Sequence, residues 1–235
     1  MPGKAPTYRH SLAVRVSHWL TALCLFVLLM SGMQISNAHP ALYWGQTSTF
    51  EHPLLALPSF PGWLTLPAHR DLATGRLWHF LAAWTLVASL ALYYLSGLAT
   101  GHLRRDLVPG RAQLAGIGHA IVQHLQLRFP RGDEARSYNV LQKLSYLAVV
   151  AVLLPLALLA GLALSPGMDA AAPWMLDLFG GRQSARTLHF AAAAALALFI
   201  AVHLILVLVS GLANNIRSMI TGYYDIETKG GEHGH

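Results

Sequence analysis

The sequence predicts an all-α integral membrane protein, a four-helix bundle with both termini in the cytoplasm and a long first periplasmic loop. Three observations predict it. Of the 235 residues, 54% are hydrophobic and only 11% are charged, whereas soluble domains carry about 25% charged residues. Four stretches reach the roughly 20 apolar residues that a bilayer-spanning helix needs: Ser17 to Ile35, Leu77 to Thr100, Leu144 to Leu164 and Leu188 to Ala213, none with Asp, Glu, Lys or Arg. The third observation is charge placement. The N-terminal tail, the Gly101 to Lys143 loop and the C-terminal tail hold twelve of the sixteen Lys and Arg; only Arg70, Arg76, Arg182 and Arg186 lie in the other two loops. Basic residues collect on the cytoplasmic side, which places both termini there. The net charge of +6 therefore reads as one basic membrane face, not as a nucleic-acid footprint. A bundle of this size reads as a single domain over residues 1–235.

The first span admits a rival reading. Lys4, Arg9 and Arg15, an apolar run and Ser36-Asn37-Ala38 have the order of a signal peptide and its cleavage site. Against it, the run is longer than a usual signal core and begins with His18-Trp19. The first outer loop, Ser36 to Gly75, carries Pro40, Pro53, Pro58, Pro61 and Pro67, which argue against a long helix there. In the inner loop Leu114, Ile117, Ile121, Val122 and Leu125 recur at helical spacing. They fit either a helix lying on the inner membrane surface or one packed on the bundle. The single cysteine, Cys24, sits in an apolar run and reads as a small buried hydrophobe, and there is no Cys-x-x-Cys-His for covalent haem attachment.

Histidine is the unusual component, thirteen in all. Ionisable groups at membrane depth are costly and face a cofactor, a cavity or a partner. Four lie in the spans, and topology sorts them by depth. The first helix enters from the cytoplasm, so His18 lies near the inner face. The second and fourth start outside, so His79 and His189 lie near the outer face. His203 follows His189 by fourteen residues, just under four turns and about 21 Å deeper at 1.5 Å per residue. These two share one face of the fourth helix, and each has a partner at its own level: His79 for His189, His18 for His203. Two neutral imidazoles facing one another ligate a haem iron from both sides. Such a haem has no open position for oxygen chemistry.

The surroundings fit a flat ring. The run Ala191 to Ala195 and Gly32, Gly97, Gly161 and Gly211 leave room beside it, although small residues also serve plain helix packing. Arg15, Arg76 and Arg186 each stand three residues before a histidine, one turn nearer the water boundary, and are candidate haem-propionate partners; interfacial anchoring is the alternative. A lone membrane histidine would suit hydrogen bonding or proton relay, but two level-matched pairs fit those roles poorly. Zinc would draw its ligands to one point. His39, His52, His69, His102, His119 and His124 read as loop or boundary residues.

The stretches Arg15-Val16-Ser17-His18-Trp19, Arg76-Leu77-Trp78-His79-Phe80 and Tyr138-Asn139-Val140-Leu141-Gln142-Lys143, with the spaced His189 and His203, resemble the bacterial cytochrome b561 family. That family includes the membrane cytochrome b subunits of nickel-iron hydrogenases; similar subunits serve formate dehydrogenases and thiosulfate reductases. The resemblance covers nearly the whole chain. It implies two non-covalent haems b in a four-helix core of the bacterial inner membrane, axial ligands at His18, His79, His189 and His203, and electron exchange with quinone. The long loop with Asn37-Ala38-His39-Pro40-Ala41-Leu42-Tyr43-Trp44-Gly45 suggests a molybdenum-cofactor oxidoreductase as periplasmic partner. The chain departs from the hydrogenase type in lacking an obvious fifth span.

The leading expectation is an electron-transfer subunit linking that partner to quinone. A self-contained quinone oxidoreductase acting on superoxide or another small oxidant would need no docking partner. A histidine-using transporter would be colourless and would call for discontinuous helices and acidic relay residues.

Overall fold

The computed structural model describes residues 4–101, 108–110, 113–114, 116–118, 122 and 140–227. Four of its helices are long and apolar enough to cross a membrane: α1 (Leu12–Ala38), α2 (Leu72–Ala99), a third span over Val140–Leu164 made of α3 (Val140–Ala148) and α4 (Leu154–Leu164), and α7 (Arg182–Val209). The shortest of these has 25 residues. At 1.5 Å per residue it is about 37 Å long, more than the roughly 30 Å hydrocarbon core. Leu23, Phe26, Leu98, Leu198 and Leu208 lie exposed along these helices. Water would penalise that surface, whereas lipid tails are as apolar as the side chains themselves.

The helix ends follow from backbone chemistry. Asp71 caps α2, accepting a hydrogen bond of 3.0 Å from the Thr74 N–H. Hydrogen bonding from Thr74, through its side chain and then its backbone, holds the Asp71 carboxyl below the usual carboxylate range. In the third span Pro155 has no N–H to donate and its ring would crowd the carbonyl four residues back. The stretch Val149–Leu153 just before it is wound as a π-helix, which absorbs the misfit. The fourth span corrects the sequence expectation: it does not run on to Ala213. It stops at Val209 because Gly211 takes φ +111, and a separate helix, α8 (Leu212–Thr221), begins there.

The chain packs as two compact units. One comprises the described residues of 19–90 and 149–200. In it the loop after α1 forms a short antiparallel pair, β2 (Ala41–Leu42) with β3 (Leu55–Ala56), and a single 3-10 turn at Gly62–Leu64, in keeping with its prolines. Two short helices, α5 (Pro166–Ala171) and α6 (Trp174–Leu178), lead into α7. Met175 and Leu176 of α6 pack on Ala163 and Ala185.

The same loop completes the start of α7. A helix leaves its first N–H groups without internal partners. Here the Arg182 N–H donates to Gln46 Oε1 (3.0 Å), and those of Gln183 and Ser184 donate to the Gly45 carbonyl (2.9 and 3.2 Å). Ser184 Oγ accepts from the Gly45 N–H at 2.7 Å, and Thr187 Oγ1 donates to the Tyr43 carbonyl at 2.7 Å. Gly181 makes this approach feasible, because a Cβ there would stand 2.7 Å from the Gly45 carbonyl oxygen.

The other unit comprises the described residues of 1–18, 91–148 and 201–235. Its two chain ends pair: β1 (Lys4–Tyr8) runs antiparallel to β4 (Tyr223–Glu227), with Tyr8 opposite Tyr223. Those two rings meet edge to face at 5.4 Å, and the Arg9 guanidinium lies 5.0 Å from the Tyr224 ring centre. Both strand pairs add to the all-α expectation without displacing it. In the inner loop Leu114, Ile117 and Val122 are helical. Ile121, Leu125, His102, His119, His124, Tyr138, Asn139 and the Gly230 to His235 end lie outside the described residues.

Candidate haem-ligand site

Each helix that carries a span histidine brings it to a partner. In one unit His79 of α2 faces His189 of α7, with ring centroids 6.0 Å apart and planes 67° to one another. In the other, His18 of α1 faces His203 of α7 at 6.4 Å and 59°. These are the pairs that depth sorting predicts. Among the described residues no three His, Cys, Asp or Glu side chains converge as a metal-binding cluster. The histidines meet in twos.

The separations fit a metal between the rings. An imidazole nitrogen binds a metal at about 2 Å, and each ring centre lies roughly 1.1 Å behind its nitrogen, so two imidazoles on one metal have centroids about 6.3 Å apart. Stacked or directly hydrogen-bonded rings would be closer.

The orientation of the first pair is set by its neighbours. Ser31 of α1, fully buried, donates its hydroxyl to the Val27 carbonyl at 2.7 Å. With its single proton engaged, Ser31 Oγ can only accept from His79, whose Nδ1 lies 3.0 Å away. His189 Nδ1 stands 2.8 Å from the Ala157 carbonyl, which can only accept. Both rings are therefore protonated at Nδ1, and both Nε2 lone pairs are left for a metal, the arrangement that holds metal-binding histidines in one tautomer. We expect Ser31→Ala to weaken haem retention at this pair by 10- to 100-fold, the usual cost of losing such a support. Haem release on dilution measures it.

Glycine makes room for these rings. A Cβ at Gly161 would lie 3.0 Å from His189 Cε1 and 3.2 Å from its Nδ1; one at Gly32 would lie 3.6 Å from His79 Cε1. A Cβ at Gly211 would meet nothing within 4 Å among the described residues, and this glycine serves the turn after α7 instead. Ala192 is buried, while Ala191 and Ala194 face outward.

The three arginines diverge. Arg186 donates to the His39 and Ala41 carbonyls (2.6 and 2.5 Å) and to Gln183 Oε1 (3.2 Å), which makes it a brace for the first loop. We expect Arg186→Ala to speed proteolysis of the 39–71 loop, read by limited digestion. Arg76 is exposed, its guanidinium 5.7 Å from the Phe80 ring centre. Arg15 donates through one terminal nitrogen to the Ile220 carbonyl, while among the described residues its buried Nε has no hydrogen-bond partner. Ser31 and the Ala157 carbonyl are the site groups that sequence reasoning missed. No local pattern distinguishes them from other small residues and backbone groups in a span.

No solved structure matches this chain significantly. A protein of Azospira oryzae named "Putative protein-methionine-sulfoxide reductase subunit" is 28% identical over 211 residues, covering 89% of this chain and 94% of that one. The family model described as prokaryotic cytochrome b561 matches residues 9–222. With four spans and this match, the chain belongs to the prokaryotic cytochrome b561 family, multi-pass inner-membrane proteins that bind haem b and carry electrons.

Proposed function

We propose that this chain is the membrane subunit of an oxidoreductase, holding two haems b and passing electrons between a periplasmic redox enzyme and the quinone pool. The observation that carries the proposal is the pair of imidazole couples, His79 with His189 and His18 with His203, at metal-bridging separations of 6.0 and 6.4 Å. Haem b supplies reversible one-electron exchange at its iron. The residues do the rest. His79 with His189 and His18 with His203 would each hold one haem from both sides, which would direct the site to electron transfer and away from oxygen binding. Ser31 and Ala157 fix the first pair's tautomers. The buried, unpartnered Arg15 Nε, one turn before His18, is a donor suited to a propionate carboxylate.

The basic loops favour cytoplasmic termini, which would put the His79/His189 pair near the periplasm and His18/His203 near the cytoplasm. The Azospira relative's name supports a partner of the sulfoxide reductase kind, and a molybdenum-cofactor enzyme fits the long first loop. Affinity purification of the tagged chain from its native membrane tests this reading. It should bring down haem and a soluble oxidoreductase that reduces or oxidises the haems when its substrate is added. If the chain purifies alone and turns over a small oxidant with a quinol analogue unaided, it is a self-contained enzyme and the subunit reading fails.

A further inference from the structure

Helix α8 (Leu212–Thr221) is amphipathic in the unusual sense. Leu212, Ile216 and Ile220, one turn apart along a single stripe, are 43%, 39% and 61% exposed. The side facing the protein is polar. Ser218 is 2% exposed, and Asn214 bonds the β4 backbone twice: its Nδ2 donates to the Asp225 carbonyl (2.9 Å) and its Oδ1 accepts from the Asp225 N–H (3.0 Å). At 3.6 residues per turn, Asn214 and Ser218 lie opposite the apolar stripe. A helix at a water boundary would show the reverse arrangement.

We infer that the apolar stripe of α8 lies in the headgroup–acyl boundary of the leaflet at which α7 ends. The occupant follows from continuity. Leu204, Ile205, Leu208 and Val209, the lipid-facing end of α7, are all exposed, and only Ser210 and Gly211 separate them from Leu212. Gly211, at φ +111, supplies the change of direction, and Asn215 Nδ2 closes the corner on Ser210 Oγ (2.9 Å) and the Gly211 carbonyl (3.0 Å). The stripe is too small for a stable protein contact. A helix about 15 Å long with three partly exposed aliphatic side chains falls well short of the roughly 800 Å² per partner of a standard interface. As an extension of an existing lipid contact it needs no such area. Arg217, about half exposed and ion-paired with Asp225, lies off the stripe and can direct its charge toward headgroups.

Because α8 also accepts Arg15 at its Ile220 carbonyl, its seat on the leaflet anchors the end of α1 that carries His18. The inference rests on the membrane assignment and is independent of how many haems the chain holds.

The test uses the full haem-loaded chain in phosphatidylcholine–phosphatidylglycerol nanodiscs, spin-labelled at Ile216→Cys or Ile220→Cys. Leu198→Cys on α7 serves as the lipid control and Glu51→Cys on the first loop as the water control. The native Cys24 is buried, and the unsubstituted chain measures any label it takes. Collision with dissolved oxygen and with an aqueous nickel chelate is read for each label. The α8 labels should favour oxygen severalfold, as the Leu198 label does. Chelate access equal to that of the Glu51 label would place the stripe in water. Shielding from both agents would place it under a second copy or a partner protein. Either result overturns the inference.

Discussion

Replacing His79 or His189 with alanine should remove one and the same haem, and replacing His18 or His203 should remove the other. Each single variant should retain about half of the native haem, because the pairs share no ligand. The double variant His79→Ala/His189→Ala should retain as much as either single one, because effects within one coordination unit do not add. Removing one imidazole halves the ligation available to that haem, and we expect the weakened site to lose it on purification. The pyridine haemochrome assay gives the amount, and a redox titration identifies which haem survives. If His18→Ala and His189→Ala removed a common haem, the pairing observed at 6.4 and 6.0 Å would not be the ligating one.

Gly161→Ala should also weaken haem retention at the His79/His189 pair while leaving the His18/His203 haem in place. The added Cβ would meet His189 Cε1 at 3.0 Å, closer than the ring tolerates without moving. His189 is held on its far side by the Ala157 carbonyl at 2.8 Å, so any movement sacrifices that bond or the metal geometry. Overpacking of this kind costs roughly 1–3 kcal/mol, a loss of about 5- to 150-fold in haem retention. Gly32→Ala is the matched control. Its Cβ would meet His79 at an ordinary 3.6 Å, and haem content should stay native. Equal loss in both variants would point to general helix disruption instead of crowding at one ring.

Much of this was legible because lipid leaves little freedom. A span must be apolar throughout, so the four helices stand out, and a histidine inside one needs a reason. Depth then pairs His79 with His189 and His18 with His203 from the sequence alone. The end of α7 was not legible: Leu212 and Ala213 continue the apolar run, and only the left-handed conformation of Gly211 shows that the helix has stopped. Nor was the β1–β4 pair, since Tyr8 and Tyr223 lie at opposite ends of the chain and long-range pairing leaves no local pattern. The arginines show the limit of spacing arguments. Arg15 and Arg186 stand identically before their histidines, but Arg186 braces the His39 and Ala41 carbonyls while Arg15 keeps a buried donor free.

Two haems, each between two histidines, should be countable in the purified native chain. Haem and protein should be quantified on one sample and the oxidised form examined by electron paramagnetic resonance. The expected result is two haems per chain, both low-spin. The ring planes are 67° and 59° apart, so on a bound iron the two imidazoles would engage different orbitals, keep those orbitals close in energy and give strongly anisotropic signals. One haem per chain, or a high-spin signal from an iron with an open position, would contradict it.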